Sequence, residues 1–141
     1  MSNTKTVITI SATVNAPIEK VWECWTTPQH IMQWNQASPD WHCPASSVDL
    51  KMGGKFSATM AAKDGSFSFD FWGTYNDILE NELIIATLGD GRYWKTSFAS
   101  NGDVTEVVES FEAEDQNPVE MQQAGWQAIL NNFKQHTENC K

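Results

Sequence analysis

Cysteine is scarce: there are three, Cys24, Cys43 and Cys140, an odd number with no C-x-x-C pair. That pattern excludes a disulfide framework of the kind that staples small secreted folds and fits a reducing cytoplasm. Basic charge is scarce too, with 9 Lys and Arg against 18 Asp and Glu and a formal net charge of -9. So acidic a surface repels polyanions, and neither nucleic acid nor an anionic membrane is expected as a partner. No apolar run approaches the length of about 18 residues that spans a bilayer. The start, Met1-Ser2-Asn3-Thr4-Lys5, leads into alternating residues where an export signal would carry an apolar core and a cleavage site. No repeat, low-complexity tract or linker divides the chain, so 1–141 is expected to be a single domain. Dinucleotide and phosphate-loop glycine motifs, the G-x-S-x-G elbow and H-E-x-x-H are all absent, which leaves no ground for nucleotide binding or acyl transfer, and no cofactor is expected.

What is present is periodicity. Of the 141 residues, 40% are hydrophobic, and a chain this long buries about two thirds of its unfolded surface. Residues 6–14 alternate, with Ile8, Ile10, Ala12 and Val14 on one side, as in a half-buried strand. Pro17 suits a first helical turn, and Ile18, Val21, Trp22 and Trp25 then share a helical face. Thr27-Pro28 repeats the device for a second short helix reaching about Trp34. Residues 35–47 are polar and predict a loop leading into an edge strand at 48–50. Alternating segments follow at 55–62, 66–78, 83–88, 93–99 and 104–113, separated by Gly53-Gly54, Asp64-Gly65, Glu80-Asn81, Asp90-Gly91 and Asn101-Gly102, the residues tight hairpins need. Asn117-Pro118-Val119-Glu120 predicts an N-cap, a first-turn proline and a capping box for a long helix to about Glu138. Its stripe is Val119, Gln122, Trp126, Ile129, Leu130, Phe133 and Thr137, within an arc of about 100°. Gly125, in its interior, predicts either a close approach by another part of the fold or plain tolerance of a surface glycine.

The order predicts an α+β fold: an antiparallel sheet of six or seven strands, two short helices after the first strand and a long C-terminal helix. Several ordered motifs carry a resemblance: Val14-Asn15-Ala16-Pro17 with Val21-Trp22, Trp25-Thr26, Gly53-Gly54, Gly73-Thr74-Tyr75, Thr105-Glu106-Val107 and Gly125-Trp126. Spread along nearly all 141 residues, they are similar to those of the START-like (SRPBCC, Bet v-type) superfamily and, within it, of the heat-shock-protein-90 ATPase activator homologues. The resemblance implies a helix-grip architecture whose curved sheet and long helix enclose an elongated hydrophobic cavity. The family name comes from a co-chaperone with a further N-terminal domain. No length is left over for one here, so the chaperone activity is not carried across.

Alternation predicts which residues would face such a cavity. On one strand Phe67, Phe69, Phe71 and Tyr75 share a face with Gly73, and Trp72 is the apolar exception on the other. Trp94 and Phe98 with Thr96, then Val107 and Phe111, would face Trp126, Ile129, Leu130 and Phe133 of the helix. Trp34, Trp41 and His42 would form the mouth or seal the loop onto the sheet. Glu109 stands out in the inward series Thr105, Val107, Glu109, Phe111. A carboxylate there anchors a ligand hydroxyl or amine, or else returns to solvent at a bulge or pairs with Arg92 or Lys95.

The expected function is binding of a small apolar molecule, aromatic or lipid-like, between sheet and helix, without catalysis. One alternative, implied by enzymes of the superfamily, is cyclase or dehydratase chemistry with Glu109 as acid or base and Tyr75 or His42 as its partner. Another is an adaptor whose acidic surface docks on a protein. Monomer and homodimer, the latter through a sheet edge, are both compatible with the sequence. Cys24, His30, His42 and Cys43 are soft donors without recognised spacing, so no metal is expected.

Overall fold

The computed structural model describes residues 6–140. Strand β1 (Val7–Val14) precedes α1 (Ile18–Thr26) and α2 (Pro28–Trp34); strands β2 (Trp41–Val48), β3 (Lys55–Ala62), β4 (Ser68–Leu79), β5 (Leu83–Leu88), β6 (Tyr93–Asn101) and β7 (Val104–Glu112) follow, and α3 (Val119–Asn139) ends the fold. The strands make one antiparallel sheet in the order β1-β7-β6-β5-β4-β3-β2, a curled half-barrel in helix-grip style. Its hairpins turn where expected: Gly65, Gly91, Gly102 and Asn81 all have positive φ, the conformation that Asp-Gly and Asn-Gly turns supply at low cost. No helix among the described residues is long and apolar enough to cross a membrane.

Two local expectations are corrected. Residues 41–47, expected as loop, belong to β2, which pairs with β3 from Trp41↔Ala62 to Val48↔Phe56. The polar stretch hides an edge strand, and its register shifts between His42 and Ala45, around Pro44, which has no N–H to give to a ladder. The capping box at α3 does not form: Pro118 occupies the cap, and no side chain caps the helix. A capping box needs an N–H on the cap residue for the Glu to accept, and proline has none. Asn117 instead turns its N–H and Nδ2 to the Glu114 carboxylate, at 2.7 and 2.9 Å.

The core lies where α1 and the second half of α3 press on the sheet. Val21, Val107, Phe111, Leu130 and Phe133 are completely buried. Trp25 stacks on Trp34 at 5.2 Å and meets Phe133 edge-on at 4.8 Å, so two helices and the end of a third close over one aromatic cluster. The first half of α3 is held more loosely. Val119, expected in the inward stripe, is 38% exposed, and Met121 is 60% exposed.

Candidate functional site

Between the first half of α3 and the sheet lies a pocket of about 480 Å³. The helix contributes Gln122, Gly125, Trp126 and Ile129, the sheet Met60, Phe69, Phe71, Trp94 and Glu109, and the region from α1 to β2 Trp25, Trp34, Asn35 and Trp41. Alternation explains the floor. Phe71 and Trp94 point to the concave side of their strands and meet edge-on at 5.7 Å, and both meet the Trp126 ring, at 5.8 and 5.5 Å. Trp126 is fixed in turn by stacking on Phe111, 3.8 Å away and nearly parallel. Trp126 thus joins helix to sheet in the wall of the pocket.

Gly125 faces that space. A Cβ added there would meet nothing within 4 Å, so the close approach entertained from the sequence is ruled out and the glycine leaves pocket volume free. Gln122 closes the rim. Its Oε1 accepts from the Glu114 N–H at 2.9 Å, and its Nε2 donates to the Glu114 and Asn117 carbonyls at 3.1 and 2.8 Å. This clamps the 114–117 turn to the helix and explains why a polar side chain is buried in the apolar stripe.

Of the two acidic residues that line the pocket, Glu109 and Glu114, only Glu109 is buried. It is 3% exposed on the inward face of β7, opposite Thr96 of β6 and Ile10 of β1. Neither alternative raised for it holds. No bulge interrupts the β1 or β6 register beside it. Lys95 points to the exposed face, and Arg92 pairs with Asp90 at 2.8 Å and donates to the Glu112 carbonyl. Among the described residues its side-chain partner is Trp94, whose Nε1 donates to Oε1 at 2.9 Å. Desolvation outweighs that bond and pushes the carboxyl up to about 8. At neutral pH the group is mostly a neutral acid, with an O–H to give.

All but two of the sequence-derived residues divide into two sets. Trp34, Trp41, Phe69, Phe71, Trp94, Glu109, Trp126 and Ile129 line the pocket. Phe98, Val107, Phe111, Leu130 and Phe133 belong to the closed core; α1 covers Phe98 by way of Trp22, 5.4 Å away. Tyr75 borders only a smaller void of about 50 Å³ between Phe56 and Trp94, and burial pushes its hydroxyl far above the usual range. His42 is exposed on β2 and lines neither space. The Trp34 N–H is spent on the Cys24 carbonyl at 3.0 Å, so it is no free donor at a mouth. Phe67 and Phe69 carry the inward face past the sheet's cover, where they are 58% and 45% exposed against Trp41. Sequence reading did not place Trp25, Met60, Arg92 or Gln122 in the pocket. Gln122 had a signal as the polar member of an apolar stripe, Trp25 as a member of the α1 face and Arg92 as a possible partner of Glu109.

The family model described as Activator of Hsp90 ATPase homolog 1-like protein matches residues 15–138. An AHSA1-like protein of Aeromonas hydrophila, solved in solution, is 45% identical, with a TM-score of 0.88 over 94% of this chain and 92% of that one. Chr148 of Cytophaga hutchinsonii is 59% identical with a TM-score of 0.81 over the same shares. CV1439 of Chromobacterium violaceum, at 20% identity and a TM-score of 0.85, shares the fold. No curated protein matches the chain.

Proposed function

Because the chain belongs to the Activator of Hsp90 ATPase homolog 1-like family, in which a long helix grips a curled sheet, we propose that it binds a small, mostly apolar molecule, aromatic or lipid-like, between the first half of α3 and the sheet. The observation that carries this reading is the aromatic-lined pocket with a single buried carboxyl, Glu109, in its wall. Ligand sites are mostly apolar with a few inward polar groups that fix orientation. Shielding about 300 Å² of ligand at about 25 cal/mol/Å² gives a gross gain of about 7 to 8 kcal/mol, and the loss of translational and rotational freedom brings the net affinity to micromolar or weaker. Glu109 would add direction. As a neutral acid it donates to a ligand hydroxyl; to an amine it yields its proton and becomes the partner of the resulting cation.

The test is a thermal-shift screen of fatty acids, aromatic alcohols and aromatic amines. A ligand that binds only the folded state raises the Tm with concentration, and Glu109→Gln should weaken the response to alcohols and amines more than to plain hydrocarbons. A screen in which no apolar compound moves the Tm refutes the reading. The same carboxyl also favours a second reading, acid-base catalysis on a bound substrate, since a group titrating near neutrality suits that work. Its sequence-derived partners, Tyr75 and His42, line no part of this pocket, which places binding first. The adaptor reading, which the family's name suggests, predicts co-purification of a protein partner that is lost at high salt.

A further inference from the structure

Four soft donors converge at the opposite end of α3. Cys24 lies on α1, His30 on α2, His136 in the last turn of α3 and Cys140 just beyond it, and one ligand atom from each falls within 4.8 Å of all the others. The His30 Nδ1 and His136 Nε2 atoms are 2.8 Å apart. Cys24 is buried and the other three are half-buried. His42 and Cys43, grouped with Cys24 and His30 when only the sequence is read, take no part.

From this convergence we propose that the chain holds one zinc ion, or a similar soft divalent cation, in a Cys24-His30-His136-Cys140 site that ties the end of α3 to α1 and α2. Two cysteines and two histidines are the donor set of closed, tetrahedral structural zinc sites, with Zn–S of about 2.3 Å and Zn–N of about 2.0 to 2.1 Å. At those bond lengths the two nitrogens stand about 3.3 Å apart and the two sulfurs about 3.8 Å apart. Seating the ion therefore asks the imidazoles to part by about half an ångström and the sulfurs to stay within the span they already occupy. His136 and Cys140 are one helical turn apart, within the three-to-five-residue separation of helical pairs in zinc fingers.

Charge fits as well. Two thiolates cancel a divalent cation, so the complex is neutral and can sit against a buried helix junction without an unpaired charge. Binding replaces each S–H proton with a bond to the metal, and the two protons leave to solvent. Groups around the donors are already placed to orient them. The Cys24 carbonyl is held by Trp34 Nε1, and Lys20 Nζ donates to the Cys140 carbonyl. The completely buried Thr137 hydroxyl stands beside the Cys24 sulfur, placed to donate to a thiolate. Such outer contacts fix the orientation of metal ligands.

The test uses the full-length protein with its thiols kept reduced and counted, titrated with cobalt(II) alone and then with zinc(II). The expected result is one cobalt per chain, with sulfur-to-cobalt charge-transfer bands and the intense visible bands of a tetrahedral site, both erased as zinc displaces it, and a Tm that zinc raises. His136→Gln and Cys140→Ser alter half-buried groups, so these variants can be checked for an unchanged circular dichroism spectrum. Each should cost more than about a hundredfold in affinity, beyond what loss of an outer-shell contact takes away. His42→Gln should bind as the parent does. Absence of sulfur-to-cobalt bands in the reduced parent overturns the proposal, and so do bands that persist in both variants. A Cys24–Cys140 disulfide in the freshly purified protein, with no metal uptake after reduction, overturns it too.

Discussion

The two halves of α3 share one amphipathic stripe and meet different surroundings. In the second half Leu130, Phe133 and Thr137 are completely buried, capped by Trp25 and Trp34 of the short helices. In the first half Trp126 and Ile129 are only half-buried, Val119 and Met121 are exposed, and a pocket of about 480 Å³ opens between helix and sheet beside the Trp126 contact. Ile129 and Leu130, neighbours in the chain, fall on either side of this division. The difference lies in what else reaches the sheet: α1 and α2 cover one end of it and stop. A helix that spans the whole sheet is held by its packed end and can leave the other end open.

Core truncation should separate the two halves of α3 most visibly. Phe133→Ala should destabilise the fold by about 3 to 5 kcal/mol, as for a fully buried aromatic, whereas Ile129→Ala should cost less than about 2 kcal/mol because much of its surface already faces the pocket; urea denaturation of both reads the contrast.

The next effect concerns Glu109. Its folded-state carboxyl titrates near 8 where the ordinary value is 4.5, so between those two pH values the folded chain keeps a proton that the unfolded chain releases. Folding stability therefore falls as pH rises through that window and is lowest, as far as this group is concerned, above about 8. Gln, neutral throughout, has no such fall. The stability of Glu109→Gln relative to the parent should thus improve with rising pH, by on the order of 5 kcal/mol across the window. A flat difference would mean that the carboxyl is not desolvated.

The smallest effect is at Gly125. Gly125→Ala should stabilise the helix by up to about 1 kcal/mol, since its Cβ meets only open space; a loss of stability would show that the first half of α3 is closed in solution.

Much of this arrangement was legible in the residues themselves. Strict alternation placed β1, β3 and β7, Asp-Gly and Asn-Gly marked the turns, and the series 105, 107, 109, 111 singled out Glu109 on the inward face while leaving open a bulge or a pairing with Arg92 or Lys95 that only the register could exclude. Four things were not legible, for three physical reasons. The strand character of residues 41–47 comes from pairing with β3, not from their polar side chains. The cap at Pro118 follows from a missing N–H that the capping-box pattern does not register. The split of Phe98, Leu130 and Phe133 from the pocket residues depends on where α1 and α2 dock, which periodicity along one element cannot report. The meeting of Cys24 and His30 with His136 and Cys140 has the same origin, since over a hundred positions separate the two pairs.

The proposed binding of apolar molecules at the open half of α3 can be read directly. Its most direct test is a fluorescence titration with anilinonaphthalene sulfonate, an apolar dye that brightens when shielded from water, on the parent and on Gly125→Phe. Phenylalanine at that position projects a ring into the space. The parent should show saturable brightening and the variant a loss of at least about tenfold in affinity, equivalent to about 1.4 kcal/mol, at unchanged or higher Tm. Equal binding by the two proteins would contradict it.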